Sequence, residues 1–302
     1  MQIIPPYLKQ GDTIAIVAPA RKIAFEEIEF AISIFQKWGL KVKLGKHIFN
    51  QYHQFAGKDI ERAEDFNSML HDDEVKAIIC ARGGYGTIRI IDKIDFKYLL
   101  KKPKWIVGYS DITVLHSHIH TNFNIATIHA IMPINFTNND CVRISIESLR
   151  KALFGEAIYY NVLPHKFNNV GESIGQLVGG NLSILYSLTG TLSDINTNDK
   201  LLFIEDVDEY LYHIDRMLMN LKLCGKLNRL KGLIIGGMTD LKDNEIAFGL
   251  NAEEIIFDFI KDYAYPVCFG FPAGHTLKNL ALIMGREVSL SVKNNGVILK
   301  FI

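Results

Sequence analysis

The stretch Trp105-Ile-Val-Gly-Tyr-Ser-Asp-Ile-Thr-Val-Leu-His116 joins a short apolar strand to an apolar-periodic helix. The strand is predicted to stop at Gly108 and the helix to start after Asp111, so Ser110 stands on the corner between them. Such a corner lifts a hydroxyl clear of the sheet, beside backbone N–H groups at a helix N-terminus that favour negative charge. The stretch therefore predicts a βα unit whose corner suits a nucleophilic serine.

Two observations keep other interpretations of this corner open. Ser110 and Asp111 could simply cap the following helix, although capping does not exclude catalysis. The corner also differs from the G-x-S-x-G elbow of α/β-hydrolases, because Ile112 takes the place of the second glycine and would crowd the contact between strand and helix. The serine therefore belongs to a different architecture and needs partners from elsewhere in the chain.

Short strands alternate with helices through the first half of the chain. Apolar residues recur at helical spacing in residues 25–35 and 60–70. Strands are predicted at residues 13–17, 41–44, 77–81 and 105–108. This alternation predicts an α/β fold with a doubly wound parallel sheet. Ligands of such sheets bind beyond the carboxyl ends of the strands, where the corners 18–21, 81–86 and 108–111 should meet.

The regular pattern lapses after residue 135, which divides the chain into two predicted domains. Residues 1–135 form an N-terminal α/β domain, and residues 136–168 a linker with one short helix around 146–153. Residues 169–302 form a C-terminal α/β domain with strands at 173–178, 200–204, 232–236, 266–270, 288–292 and 297–302. A helix should start in residues 179–185 with Asn181 as its cap, and another should span 211–221.

Composition narrows the class of ligand. The 302 residues are 48% hydrophobic and 22% charged, and 33 basic residues balance 33 acidic ones. No basic tract suggests binding to nucleic acid or to an anionic membrane, so a small molecule or a peptide is the expected ligand. The sequence shows neither a signal-like N-terminus nor an apolar run long enough for a membrane span. Four widely spaced cysteines fit free thiols in a reducing compartment, so we expect a cytoplasmic protein.

Two further residues stand where strands are predicted to open into loops. Glu205 follows the apolar run 201–204, and His275 lies in Gly270-Phe-Pro-Ala-Gly-His275. Taken singly, Glu205 could be a cap or a surface charge, and His275 a structural or solvated residue. Together with Ser110 they supply what acyl transfer requires, namely a nucleophile, a base that takes its proton and a carboxylate that orients the base.

Stabilisation of the negative charge that develops during acyl transfer needs N–H donors as well. The backbone amide of Asp111 and an amide of Gly83 or Gly84 could form this oxyanion hole, because glycines let the backbone approach a substrate closely. Arg82 could bind a substrate carboxylate or could brace the glycine-rich loop. No metal and no cofactor is expected for this chemistry.

Five blocks of the sequence resemble those of the LD-carboxypeptidase family of serine peptidases. The blocks are Arg82-Gly-Gly-Tyr-Gly86, Gly108-Tyr-Ser-Asp111, Gly179-Gly-Asn-Leu182, Glu205-Asp-Val-Asp-Glu-Tyr-Leu-Tyr-His-Ile-Asp-Arg-Met-Leu218 and Gly270-Phe-Pro-Ala-Gly-His275. They occur in the family's order and span nearly the whole chain.

The resemblance implies a cytoplasmic enzyme of cell-wall recycling that removes the terminal D-alanine from murein tetrapeptides. Ser110 then matches the nucleophile, Glu205 the orienting acid and His275 the base. The implied fold has an N-terminal sheet resembling class I glutamine amidotransferases and a C-terminal α/β domain, with the triad assembled between them. The resemblance also implies a homodimer. It leaves open whether the third substrate residue is lysine or a diaminopimelate, and whether sugars are attached.

Three alternative functions each rest on a single motif. Cys80 ends a strand before the glycine-rich loop, as a cysteine nucleophile could, but Ile78 and Ile79 precede it without the glycine of a sharp elbow, so a buried core cysteine fits better. The run 82–89 is similar to a phosphate cradle of a nucleotide-binding protein, but Arg89 replaces its third glycine. His116, His118 and His120 alternate on a predicted helix, and His116 and His120 share a face without the glutamate of a zinc-binding H-E-x-x-H motif.

The nearest alternative lies within the same family. Its other branch resembles microcin immunity peptidases, which hydrolyse peptidyl-adenylate mimics and have a longer loop after the catalytic glutamate. Here the short segment 206–210 separates Glu205 from the next helix, as in the carboxypeptidase branch. Asp208 stands where that branch commonly has glycine, and Leu211-Tyr212 replaces its usual Pro-Tyr-like step.

Overall fold

The computed structural model describes residues 2–302 of the chain. The strands are β1 (Thr13–Val17), β2 (Lys41–Leu44), β3 (Val75–Cys80), β4 (Trp105–Gly108), β5 (Thr127–His129), β6 (Tyr159–Val162), β7 (Gly171–Asn181), β8 (Leu201–Val207), β9 (Gly232–Thr239), β10 (Val267–Cys268), β11 (Leu282–Met284), β12 (Glu287–Lys293) and β13 (Gly296–Phe301). The helices are α1 (Glu29–Lys37), α2 (Asp59–His71), α3 (Tyr98–Lys101), α4 (Thr113–Phe123), α5 (Asp140–Phe154), α6 (Leu182–Ser187), α7 (Leu211–Leu223) and α8 (Ala252–Ile260).

The N-terminal half forms a six-stranded sheet in the order β11-β5-β4-β3-β1-β2. Strands β1 to β5 are parallel, as the alternation of strands and helices predicted, and their carboxyl ends therefore lie at one edge. Strand β11 joins this sheet from the far end of the chain and runs antiparallel to β5, with Leu282 opposite His129. The first sheet is thus completed by residues that follow most of the second.

The second sheet has seven strands in the order β10-β9-β8-β7-β12-β13-β6. Strands β7 to β10 are parallel, whereas β12, β13 and β6 are antiparallel. Helices α6, α7 and α8 pack on the parallel part through a separate apolar core. The prediction of an α/β protein with an N-terminal parallel sheet and a second α/β unit is confirmed.

One apolar cluster contains buried side chains from both sheets. Val107 and Ile128 of the first sheet belong to it together with Phe203 of the second and Phe271 of the loop after β10. This shared core fixes how the carboxyl ends of the two sheets face each other. Within residues 2–302, every helix is too short or too polar to cross a membrane.

Residues 136–168 contain more regular structure than the sequence suggested. Helix α5 has 15 residues and starts at Asp140, where Asn139 caps it by accepting a hydrogen bond from the Cys141 N–H at 2.9 Å. The sequence pattern predicted only its last part, because burial in the first two turns does not follow polarity, with Ile144 exposed and Ser145 buried. Apolar residues of α5 belong to the shared core. The domain boundaries at 135 and 168 remain predictions.

Strands β7 and β8 run further than predicted. Their parallel pairing continues from Leu177 opposite Leu201 to Asn181 opposite Glu205, so Gly179 and Gly180 extend a strand rather than start a helix. Helix α6 begins at Leu182, and Asn181 caps it as predicted by accepting a hydrogen bond from the Ile184 N–H at 3.2 Å. Glu205 consequently lies within a strand, which holds its backbone more rigidly than a loop would.

A buried hydrogen bond joins the two halves of the chain at the start of α4. The Asn181 backbone N–H donates to Thr113 Oγ1 at 3.0 Å, and Thr113 is fully buried. We expect Thr113→Val to lower the free energy of unfolding by about 1–3 kcal/mol, because it leaves that buried N–H unpaired at nearly constant volume. Urea denaturation measures the change. Thr121→Val, at an exposed position of the same helix, is the control, and an equal loss there would refute this account.

Candidate active site

The corner at Ser110 has an unusual backbone. Ser110 has φ +63°, in the left-handed region, and starts the short 3-10 turn Ser110–Ile112 that leads into α4. Non-glycine residues rarely adopt this conformation, and those that do concentrate at functional sites. Ile112 does not crowd the corner as the sequence suggested, because Gly108 lacks a side chain there. A Cβ on Gly108 would lie 2.8 Å from Ile112 Cγ1.

The structure brings Ser110, His275 and Glu205 together between the two sheets. His275 Nε2 lies 3.1 Å from Ser110 Oγ, and His275 Nδ1 lies 2.7 Å from Glu205 Oε2. An ionised glutamate only accepts hydrogen bonds, so Nδ1–H donates to it and Nε2 is left to accept from the serine hydroxyl. This is the tautomer that a general base next to a serine needs.

Glu205 is fully buried beneath the loop that carries His275. The same oxygen, Oε2, also accepts a hydrogen bond from the His275 backbone N–H at 3.1 Å. Gly274 makes this approach possible, because a Cβ there would lie 2.6 Å from both Glu205 Cγ and Oε2, and because its φ of +96° favours glycine. The glycine next to the histidine therefore lets the carboxylate reach both groups.

Contacts from α5 anchor the His275 loop at its far end. The Asn279 side chain accepts from the Gly274 N–H at 2.9 Å, and the Asn279 N–H donates to Ser145 Oγ at 2.9 Å. The Ala281 N–H donates to Ser148 Oγ at 2.9 Å. These positioning residues were missed in the sequence, since nothing in the spacing of isolated serines and an asparagine indicates a contact over more than 130 positions.

The surroundings of His275 set its proton affinity. Burial lowers the pKa of His275, but the hydrogen bond to Glu205 and the charges of Glu205 and Asp206 outweigh it, so the pKa is raised above the ordinary 6.5. Tyr109 lies against the imidazole with ring centroids 4.8 Å apart, and its hydroxyl donates to Asn135 Oδ1 at 3.2 Å. The histidine is thus held on one side by a carboxylate and on the other by an aromatic ring.

The glycine-rich loop lies directly against the serine. A Cβ on Gly83 would be 3.1 Å from Ser110 Cβ and 3.2 Å from Oγ, so a side chain there would crowd the nucleophile. Asp111 occupies the second position of the 3-10 turn, where no helical carbonyl is available to its N–H. Both predicted oxyanion segments therefore border Ser110.

The carboxyl group of Asp111 has a role that the sequence did not reveal. It is buried, and Oδ2 accepts a hydrogen bond from the Thr87 N–H at 2.8 Å, just after the glycine-rich loop. Burial raises the pKa of Asp111. Arg62 adds a second tie, since its buried guanidinium donates to the carbonyls of Pro19 and Gly86. These contacts fix the corners 18–21 and 81–86 around Ser110.

Ser110 and His275 line a cavity of about 430 Å³, and Glu205 is buried behind His275. The residues that line it include Arg21, Arg82, Gly83 and Gly84 from the first half of the chain and Asp206 and Asp208 from the second. A second cavity of about 500 Å³ adjoins it and shares Tyr109 and His275 as lining residues. The first half of the chain therefore contributes two arginines to the lining of the site, and the second half contributes two acidic residues.

One of the acidic residues that line the cavity, Asp206, is a buried carboxyl group that the sequence did not single out. Asp206 accepts hydrogen bonds from Asn181 Nδ2 at 2.9 Å and from the Ser183 N–H at 2.8 Å. Burial, together with the charge of Glu205, raises the pKa of Asp206 to about 7. Asp208 has φ +62°, a conformation that glycine adopts without strain, and it pairs with Lys242 at 2.5 Å.

The side chains of Arg82 and Arg89 both bind other groups of the protein. Arg82 Nη1 donates to the Lys22 carbonyl at 3.1 Å and lies 3.9 Å from Glu27 Oε1, which supports its bracing role while leaving it on the cavity wall. Arg89 pairs with Asp59 at 2.9 Å. The run 82–89 thus continues into the 3-10 helix Thr87–Lys93, which Asp59 binds through Arg89, and it lacks the sequence ending of a phosphate-binding loop.

The histidine run on α4 makes three different contacts. His116 uses both ring nitrogens, toward Thr127 Oγ1 at 2.8 Å and the Gly108 carbonyl at 2.9 Å. His118 Nδ1 bonds Ser193 Oγ at 2.8 Å, and His120 Nε2 accepts from Lys200 Nζ at 2.9 Å. These contacts brace the serine corner and connect α4 to the second half of the chain.

Cys80 lies at the end of β3 but inside the apolar core. It is fully buried, and burial raises the pKa of its thiol. A nucleophilic cysteine needs the opposite shift, toward the thiolate. The structure therefore supports the interpretation of Cys80 as a core residue.

A serine, a histidine and a glutamate linked in this order, at the carboxyl ends of α/β sheets, are the arrangement of a serine hydrolase. Comparison with known proteins narrows the class. Residues 14–130 match the model of the LD-carboxypeptidase N-terminal domain, and residues 174–290 match that of the LD-carboxypeptidase C-terminal domain. The chain therefore belongs to the LD-carboxypeptidase family and is a serine-type carboxypeptidase.

Individual relatives cover nearly the whole chain. A probable murein peptide carboxypeptidase of Bacillus subtilis is 38% identical over 98% of this chain and 94% of its own length. The microcin C7 self-immunity protein of Escherichia coli is 26% identical over 96% of this chain and 93% of its own length. The crystal structure of muramoyltetrapeptide carboxypeptidase from Oxalobacter formigenes superposes with a TM-score of 0.87 and 26% identity, covering 96% of this chain and 98% of that one.

Proposed function

We propose that this protein hydrolyses the L,D amide bond that links the terminal D-alanine to a murein tetrapeptide, with Ser110 as nucleophile, His275 as base and Glu205 as orienting acid. The observation that carries the proposal is the hydrogen-bonded series Ser110–His275–Glu205 at the mouth of a cavity formed by both halves of the chain. Its similarity to a probable murein peptide carboxypeptidase supports the choice of substrate.

The first half of the reaction begins with proton transfer from Ser110 Oγ to His275 Nε2 as the oxygen attacks the scissile carbonyl carbon. Glu205 stabilises the imidazolium that forms, through the Nδ1–H bond. The carbonyl oxygen gains negative charge, and the backbone N–H groups of Asp111 and of the Gly83-Gly84 segment are positioned to donate to it. His275 then returns the proton to the leaving amine, which releases D-alanine and leaves the peptide esterified to Ser110.

The second half of the reaction repeats these steps with water. His275 removes a proton from a water molecule that attacks the ester carbonyl, and the same donors stabilise the negative charge again. The proton passes to Ser110 Oγ as the ester bond breaks, so the tripeptide leaves and the serine is restored. Every step uses groups of this chain.

A second candidate function is hydrolysis of peptidyl-adenylate analogues, as the similarity to a microcin self-immunity protein suggests. Against it stands the short connection from Glu205 to α7, which leaves only Asp208, Glu209 and Tyr210 between strand β8 and the helix. This segment offers little chain with which to cover a nucleotide.

We further propose that the enzyme works in the cytoplasm as a homodimer. Cytoplasmic location is supported by its four unpaired cysteines, of which Cys141 and Cys224 are exposed, since such thiols persist in a reducing compartment. The dimer is proposed from the family resemblance alone. Sedimentation of the purified protein tests it directly.

The substrate proposal is tested by stereochemistry. We expect the enzyme to cleave a free L,D-tetrapeptide at least about 10²-fold faster than its L,L isomer, because inverting one α-carbon displaces the carboxylate or the scissile carbonyl by about 1 Å or more. Mass spectrometry of the products with matched initial rates measures this ratio. A peptidyl-adenylate analogue is the third substrate of the series.

The relative rates for the three substrates distinguish between the candidate functions. Equal cleavage of the two stereoisomers would remove the L,D-carboxypeptidase assignment. Faster cleavage of the adenylate analogue would assign the chain to the immunity branch instead. The Ser110→Ala protein serves as the control for contaminating peptidases in all three assays.

A further inference from the structure

Arg21 lies at the corner that follows β1 and reaches into the catalytic cavity. Its side chain crosses Gly84, where a Cβ would lie 2.5 Å from Arg21 Cδ and 3.0 Å from Nε. Gly84 has φ +110°, a backbone conformation that favours glycine, and a side chain there would displace Arg21 from this position. The neighbouring Gly83 lies against Ser110, so Arg21 and the nucleophile border consecutive residues of the glycine-rich loop.

The guanidinium of Arg21 has no hydrogen-bond or ion-pair partner within residues 2–302. Arg82, the other arginine that lines the cavity, has both. Arg82 donates to the Lys22 carbonyl and faces Glu27. Arg21 therefore keeps all five donors available for a ligand. Arg62 donates to the carbonyls of Pro19 and Gly86 and so holds the segment that carries Arg21 against the glycine-rich loop.

A carboxypeptidase has to bind one group that an endopeptidase does not, the terminal carboxylate of its substrate. That carboxylate is separated from the scissile carbonyl carbon by only the amide nitrogen and one α-carbon, so it must lie close to Ser110. The acidic residues that line the cavity offer it no donor, because Asp206 accepts hydrogen bonds from Asn181 and Ser183 and Asp208 pairs with Lys242. A guanidinium binds a carboxylate with two parallel hydrogen bonds, which fixes direction as well as charge.

We propose that Arg21 binds the terminal carboxylate of the substrate and thereby selects the last peptide bond for cleavage. The inference rests on the proposed carboxypeptidase function and adds the residue that distinguishes a free C-terminus. It assigns to Arg82 the bracing of the glycine-rich loop, as its bonds to Lys22 and Glu27 indicate.

The test compares two substrates, the L,D-tetrapeptide with a free terminal carboxylate and the same peptide with a terminal carboxamide. For the wild-type enzyme we expect kcat/KM to favour the carboxylate by about 10- to 100-fold, the range of a charge-assisted hydrogen bond. In Arg21→Ala this ratio should fall toward one, with the loss mainly in KM. Arg21→Lys should keep part of the preference, because it retains the charge but not the paired geometry.

Lys22→Ala is the matched control, since Lys22 is the adjacent exposed cation and its side chain contacts Gln51 at 3.5 Å. It should leave the carboxylate preference unchanged. An unchanged ratio in Arg21→Ala, an equal loss for both peptides, or a selective loss in Arg82→Ala would each overturn the assignment of Arg21. These results differ from failure of the proposed function, in which the wild-type enzyme cleaves neither peptide and the inference falls with it.

Discussion

Ser110→Ala and His275→Ala are each expected to lower kcat for the L,D-tetrapeptide by about 10⁴-fold or more, and the double variant to lose little beyond either single one. The reason is the 3.1 Å contact between Ser110 Oγ and His275 Nε2, through which the two groups act as one unit. Without the base the hydroxyl is a weak nucleophile, and without the hydroxyl the base has nothing to activate. Initial rates of D-alanine release measure all three variants.

A serine outside the site provides the control for this series. Ser187 bonds only the Ile184 carbonyl of its own helix, and Ser187→Ala should keep full activity. Losses from Ser110 and His275 that multiply in the double variant would contradict a common catalytic unit. Residual activity of Ser110→Ala that a thiol reagent abolishes would direct attention to Cys80, and loss of wild-type activity with a chelator, restored by zinc, to His116 and His120.

Glu205→Gln is expected to reduce kcat by about 10³-fold, less than the roughly 10⁴-fold loss known when such a change also reverses the histidine tautomer. Here the His275 backbone N–H and Nδ1–H both donate to Glu205 Oε2. In Glu205→Gln these two donors favour the carbonyl oxygen of glutamine at the position of Oε2 and the NH₂ group at the position of Oε1. The tautomer is then retained, and the loss comes from the missing negative charge next to the imidazolium.

The same variant predicts a shift in the pH profile. Because the pKa of His275 is raised and the base must be neutral, kcat/KM of the wild-type enzyme should fall on acidification with an apparent pKa above 6.5. Removing the charge of Glu205 lowers the pKa of His275, so the acid limb of Glu205→Gln should move to lower pH although the rate is reduced.

The chain offers a matched control for this shift in a second glutamate–histidine pair. Glu209 Oε2 contacts His213 Nδ1 at 2.5 Å at the start of α7, outside the catalytic series. Glu209→Gln should leave the acid limb where it is. An acid limb that stays fixed in Glu205→Gln, or that moves equally in Glu209→Gln, would show that another group controls the profile.

Local pattern predicted the parts of the fold in which periodicity is strong. The strands around residues 13–17, 41–44 and 105–108 alternate with clearly amphipathic helices, and the order of these elements implies a parallel sheet. The same topology places the carboxyl ends of its strands at one edge, so the meeting of the corners at Arg21, Gly83 and Ser110 could be expected before any contact was known.

The features of the fold and site that were not predicted depend on contacts between residues far apart in the sequence. The local sequence pattern does not indicate such contacts. Nothing in residues 282–284 indicates that β11 pairs with β5 rather than with the neighbouring β12 in its own half. The buried bonds of Asp111 and Arg62 likewise became visible only when the loops were placed. A polar residue in a loop has the same local signature whether it is buried or solvated.

Strand β11 has a consequence for how the protein is made. The chain leaves the ribosome from its N-terminus, so the first sheet emerges early but keeps β5 as an open edge, a state prone to pairing with other chains. The edge closes only when residues 282–284 arrive, and the histidine loop immediately before them is drawn onto α5 at the same stage. Ser110 therefore has no base until residues 275–284 have been made, and a chain that stops before them lacks the catalytic series.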